Sequence, residues 1–145
     1  MSKVIAIDPG RCKCGLVLVD INIKKVQLAV VLESDSLAEY IKELKDFEFI
    51  SKILIGNGTT CEENIKKLAF FKKDLIISEE KNTTFRSKQR YFELFPTSWF
   101  QTLVPKELFL INKNLDAVSA LIILEDFFNE KFTLNKNIDT RTWLK

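Results

Sequence analysis

The chain has 145 residues, with 22 Lys and Arg against 20 Asp and Glu, a formal charge of +2, 46% apolar and 29% charged residues. This predicts one globular domain over residues 1–145 and excludes a global field strong enough to announce a polyanionic partner by itself. The absence of histidine excludes imidazole general bases, His-based triads and His-built zinc sites.

Val4 to Asp8 and Gly15 to Asp20 are apolar, β-branched runs parted by Pro9-Gly10, which predicts two adjacent strands. Asp8 closes the first strand immediately before a turn, at the kind of strand end where α/β folds bind ligands. An acid there can also simply shape the turn. After a polar turn, Val26 to Leu32 predicts a third strand, and the short links make strands one to three an antiparallel meander. Ser36 is a candidate cap for a helix from Leu37, with Leu37, Tyr40, Ile41 and Leu44 at helical spacing. Lys52 to Gly56 predicts a fourth strand, buried on both faces. The loop Gly56-Asn57-Gly58-Thr59-Thr60 can approach phosphate or sugar closely, although no Gly-Lys-Ser/Thr follows; a plain strand-to-helix turn is the alternative.

Cys61 to Phe71 predicts a second helix with Ile65, Leu68, Ala69 and Phe71 inward. Asp74 to Ser78 predicts a fifth strand, ending in Glu79-Glu80. Thr83 or Thr84 is the expected cap of a helix reaching about Phe95, stopped by Pro96. Thr97 to Leu110 reads as irregular or short-helical, with Trp99, Phe100, Leu103 and Pro105 packing beneath it. Asn114 is the expected cap of a last helix, Leu115 to Phe128, with an inner stripe of Asp116, Ser119, Ala120, Ile123 and Phe127. The tail from Lys131 would dock as a strand or lie loose. The result is an α/β fold: a mixed five-stranded sheet, strands four and five parallel to strand one, flanked by helices.

Parallel strands bring Asp8 and the Glu79-Glu80 pair to one sheet edge. Asp116 lies on a buried stripe, where a charge is costly unless something pairs with it. A divalent cation between Asp8, Glu80 and Asp116 satisfies all three, and an all-oxygen set suits Mg²⁺ or Mn²⁺ acting in phosphodiester hydrolysis. Glu79 and Glu80 point to opposite faces, and the sequence leaves the register between them open. Lys81 to Arg90 carries four basic residues and no acid. With Arg11 and Lys13, its Lys81, Thr83, Thr84, Arg86 and Arg90 form the expected nucleic-acid contact set.

The three cysteines, Cys12, Cys14 and Cys61, are odd in number, and Cys12-Lys13-Cys14 is too tight for the usual zinc spacing. Reduced thiols and a cytoplasmic location are therefore expected. The N-terminal apolar run is short and broken by Asp8, so no signal peptide is expected. No run approaches the ~20 apolar residues of a membrane span, so no membrane partner is expected.

Ile7-Asp8-Pro9-Gly10-Arg11-Cys12-Lys13-Cys14-Gly15 resembles the first motif of the YqgF/RuvX family, in the ribonuclease H-like superfamily that includes RuvC resolvases. Glu79-Glu80-Lys81-Asn82-Thr83-Thr84 resembles that family's Asp-Glu-Arg-x-Thr-Thr motif. Leu115-Asp116-Ala117-Val118-Ser119-Ala120 resembles its last motif. Pro96 to Pro105 resembles a Pro-rich connector of a variant branch. The resemblance spans residues 4 to about 128. It implies a ribonuclease H-like fold and a metal-dependent nuclease, either maturing the 5′ end of pre-16S ribosomal RNA or resolving Holliday junctions. By motif position it implies that Asp8, Glu80 and Asp116 carry the metal. Glu79 stands where the family has Asp, Lys81 where it has Arg, and Leu115 where the variant often has a second acid. A nucleic-acid-binding module that keeps the fold without the chemistry is the alternative. A two-fold homodimer would suit symmetric cutting of a junction. A sugar-kinase or actin-like ATPase half shares the Asp-x-Gly turn but needs a second domain.

Overall fold

The computed structural model describes residues 2–96 and 114–144; the stretch holding Trp99, Phe100, Leu103 and Pro105 lies outside them. Six strands form one sheet in the order β5-β4-β1-β2-β3-β6. The first three, β1 (Lys3–Asp8), β2 (Lys13–Asp20) and β3 (Lys25–Glu33), are the expected antiparallel meander. Both β4 (Ile50–Gly56) and β5 (Asp74–Ser78) run parallel to β1. This is the expected mixed sheet, with one strand more among the described residues than expected. The sixth strand, β6 (Thr133–Leu134), pairs in parallel with β3 through Lys25 and Val26, so the tail docks as a strand. Two residues are too few for a period-two pattern to be read from sequence.

Alternation along the strands divides the core into two faces. Ile5, Ile7, Leu16 and Leu18 point to the face covered by α1 (Leu37–Lys42) and α2 (Cys61–Lys67). Both helices are shorter than expected. After α1 the chain tightens into turns such as Leu44 N–H to Ile41 O and Phe47 N–H to Leu44 O. After α2, Ala69 N–H bonds Lys66 O and Phe71 N–H bonds Leu68 O, which carries Phe71 inward and leaves Ala69 exposed.

On the other face the strands present the smaller Val4, Ala6, Val17 and Val19. Small side chains let a helix lie close to the sheet, and α4 (Asp116–Phe128) does so. Every residue of α4 from Ala117 to Leu124 is buried, and so is Glu125, because α3 (Thr83–Leu94) covers its outer side. Phe127, expected inward, is instead 40% exposed near the end of the helix.

The expected caps differ in detail. Neither Thr83 nor Thr84 caps α3: Asn82 precedes it in the left-handed region (φ 52°), a conformation that Asn tolerates. Ser36 makes no side-chain cap to α1. The Asn114 side chain does serve α4, its Oδ1 accepting from Asp116 N–H at 2.8 Å. Asn129, at φ 51°, closes the far end of α4.

Candidate active site

Register brings Asp8 opposite Gly15 and Gly56 opposite Ser78 at one end of the sheet. Asp8 continues the Val4–Ala6 alternation, so its side chain belongs to the face that α4 covers. Continuing the Ile76–Ser78 alternation carries Glu80 to the same face. The Glu79 side chain instead stands 78% exposed, paired with Lys81 at 3.4 Å. Of the two glutamates, Glu80 is thus the one turned toward Asp8.

Asp116 is the first residue of α4, and its main chain lies on Gly15. A Cβ at position 15 would collide with the Asp116 carbonyl and would sit 2.5 Å from Ala117 N. Glycine is required there by the close approach of helix to strand.

Asp8 feels both of the other carboxyls. Asp8 is pushed up to about 8, first by burial, then by the charges of Glu80 and Asp116, then by a side-chain hydrogen bond with Glu80. Glu80 is also raised by burial, while its bond to Asp8 acts downward, so the two carboxyls titrate together. Asp116 is raised by burial, opposed by a hydrogen bond from Asn114 and by the charge of Lys13. Glu80 Oε1 is buried with no hydrogen-bond partner among the described residues. Such an acceptor is costly unless something positive or proton-bearing reaches it.

Among the described residues, no three His, Cys, Asp or Glu side chains converge tightly enough to hold a metal ion outright. Asp8 and Glu80 form the close pair, and Asp116 acts on Asp8 through its charge. The donor chemistry nevertheless fits a hard divalent cation. Both near groups are carboxylates, one oxygen is buried without a partner, and Mg²⁺ is commonly held by one or two carboxylates with water completing its shell.

The expected nucleic-acid contacts separate into two sets. Arg11, Lys13, Lys81 and Thr84 are exposed. The Arg11–Lys13 turn is pinned to the end of β3, where Ser34 N–H donates to Cys12 O and Ser34 Oγ to Gly10 O, both at 2.8 Å. The other three do not fit the expectation. Thr83 is buried. Arg86 grips Asp126 with two hydrogen bonds of 2.6 Å. Arg90 bonds Glu125 at 2.6 and 3.0 Å and Phe132 O at 2.7 Å, with only 11% of its side chain exposed. These arginines tie α3 to α4 and the tail. The signal was present in the sequence: Glu125 and Asp126 sit near the C-terminal end of α4, the unfavourable end of the helix dipole for an acid, and call for basic partners.

The cysteines are free thiols. Cys14 lies beneath the acid edge, its thiol pushed up to about 12 by burial and then by Asp116, which makes it a poor nucleophile. Cys61, missed as a neighbour of the site, is raised by burial and then by Glu80. Among the described residues, no helix is long and apolar enough to cross a membrane.

No protein-family model and no curated protein matches the chain. Among solved structures it is similar to Thermus thermophilus RuvC in complex with a Holliday junction substrate, at 12% identity and TM-score 0.42, over 94% of this chain and 85% of that one. It is also similar to a ROK hexokinase from Thermus thermophilus, at 14% identity and TM-score 0.41. That match covers 62% of this chain and 37% of the hexokinase, little more than a third of its length. Likeness at this level transfers neither an activity nor a residue role.

Proposed function

We propose that this chain is a single-domain, divalent-metal-dependent nuclease of structured nucleic acid, with Asp8 and Glu80 holding Mg²⁺ or Mn²⁺ and Asp116 completing the set. The observation that carries the reading is the raised Asp8 carboxyl, crowded by two further acids from distant segments of the chain. A stable core gains nothing from such crowding, whereas a cation site requires it. The three motifs that resemble the YqgF/RuvX family supply exactly one acid each to this edge. When bound, the metal would lower the pKa of a water and stabilise charge on the phosphate and the leaving oxygen. Asp8 and Glu80 must first give up their shared proton, so metal binding should strengthen as pH rises through about 8. Arg11 and Lys13, exposed beside Asp8, would take phosphates as positioning contacts.

The test is a Mg²⁺ and Mn²⁺ titration with a four-way DNA junction and a 5′-extended pre-16S RNA. Cleavage of either that disappears in Asp8→Asn, with the fold retained, supports the proposal. Full activity in that variant sinks it. A second reading, a binding module without chemistry, is favoured by the lack of a tight three-ligand cluster among the described residues. It predicts metal-independent binding and no cleavage with either ion.

A further inference from the structure

Strand alternation aims Glu80 inward, and the end of β4 has no side chain in its way. A Cβ built on Gly56 would collide with Glu80 Oε1 and would stand 2.9 Å from Glu80 Cδ and 2.8 Å from Ile123 Cδ1. A Cβ on Gly58 would sit 3.6 Å from the same Oε1, and 3.2 Å from Pro9 Cγ. Real Cβ atoms essentially never show contacts below 3 Å, so at Gly56 something must move, and what stands nearest is the flexible ends of the Glu80 and Ile123 side chains, which would swing away. Neither glycine has positive φ, so backbone conformation does not demand them. Space does. The loop is fixed on its other side by Asn57 N–H donating to Ser78 O at 2.9 Å, so β4 and β5 do not simply spread apart.

We infer that Gly56 is a positioning residue: it leaves a side-chain-free notch at the end of β4 that receives the Glu80 carboxyl and holds it beside Asp8. The notch explains why the second acid of Glu79-Glu80 enters and how its Oε1 comes to be buried. It also gives a role to the Gly56–Thr60 loop, which forms a wall of the acid edge. The argument for the notch is steric; its consequence for metal binding rests on the proposed function.

The experiment is a mutant cycle with two readouts. Thermal melting in EDTA compares Gly56→Ala in three backgrounds: wild type, Glu80→Ala and Ile123→Val. The expected result is a loss in wild type, reduced by more than half in the Glu80→Ala background and by a smaller amount with Ile123→Val, which removes the Cδ1 that stands 2.8 Å away. Equal losses in all three backgrounds, or relief by Ile123→Val alone, overturn the notch and leave Gly56 a packing residue against α4. Should Gly56→Ala fail to fold, recovery of a folded chain by Glu80→Ala supports the notch; recovery only by Ile123→Val, or by neither, overturns it. The second readout is Mn²⁺ binding. Gly56→Ala should weaken it at least tenfold, as should Glu80→Ala, and the double variant should lose no more than either alone. If the wild-type chain binds no Mn²⁺, the metal reading fails while the melting cycle still decides the notch.

Discussion

At the carboxyl end of β1, Asp8, Glu80 and Asp116 crowd together with Lys13 as the nearby cation that acts on Asp116, and burial raises all three carboxyls. Between α3 and α4 the chain gathers as many acids, yet there each carboxylate has its cation. Arg90 bonds Glu125 and Glu93, Lys131 bonds Glu93 at 2.8 Å, and Arg86 bonds Asp126. Glu125 also accepts from Phe132 N–H at 2.9 Å, which fastens the tail that leads into β6. The same residue types thus hold the molecule together in one place and strain it in the other. The clasp has its charges balanced; the acid edge does not, and it is there that the proposed function puts a cation.

Breaking the acid edge should show the largest effect. Asp8→Asn is expected to lower metal-dependent cleavage at least about 10³-fold, or ~4 kcal/mol in the barrier, measured under single-turnover conditions on the junction and the pre-rRNA. The same variant should melt higher than wild type at pH 8 in EDTA, because it removes a crowded ionisable group. Breaking the clasp should do the reverse. Arg90→Met leaves Glu125, whose side chain is 8% exposed, without its main partner. We expect a stability loss of ~3 kcal/mol by denaturant titration, with cleavage by the folded fraction retained.

The comparison sharpens with pH. Asp8 binds its proton up to about 8 in the folded chain against an ordinary value of 3.8, so between these values the unfolded chain holds fewer protons. Stability in EDTA should therefore fall as pH rises from 4 to 8 and level off above. Asp8 is only part-buried, so the expected fall is ~2 kcal/mol rather than the full linkage value. Asp8→Asn should flatten that slope, and saturating Mg²⁺ should offset it. The smallest effect belongs to Arg86→Gln. Its pair with Asp126 is well shaped but part-exposed, with side chains 40% and 34% accessible, so a loss of ~1 kcal/mol is expected.

The five main strands were legible because their apolar runs are unbroken and bounded by turn residues. Asp8 was legible as the one acid closing such a run. The choice between Glu79 and Glu80 was not, since it depends on which face α4 covers and on the room left at Gly56, and both are facts of packing. Arg86 and Arg90 were legible as basic residues, but their partners lie 40 and 35 residues further along, on another helix. The helix ends were over-extended for a related reason. Leu44 and Phe71 keep helical spacing, yet the chain reaches the core by tighter turns, and an apolar pattern does not distinguish the two routes.

The contact between Gly15 and the first turn of α4 joins main chain to main chain. No rotatable side chain intervenes between the strand that pairs with Asp8 and the peptide that carries Asp116. The gap separating those two acids is therefore set as by a fixed calliper, and it should hold steady while surrounding loops fluctuate. A methyl group at position 15 would pry the jaws open without altering a single charge, so the spacing of those two acids is written into a residue that has no side chain to touch either.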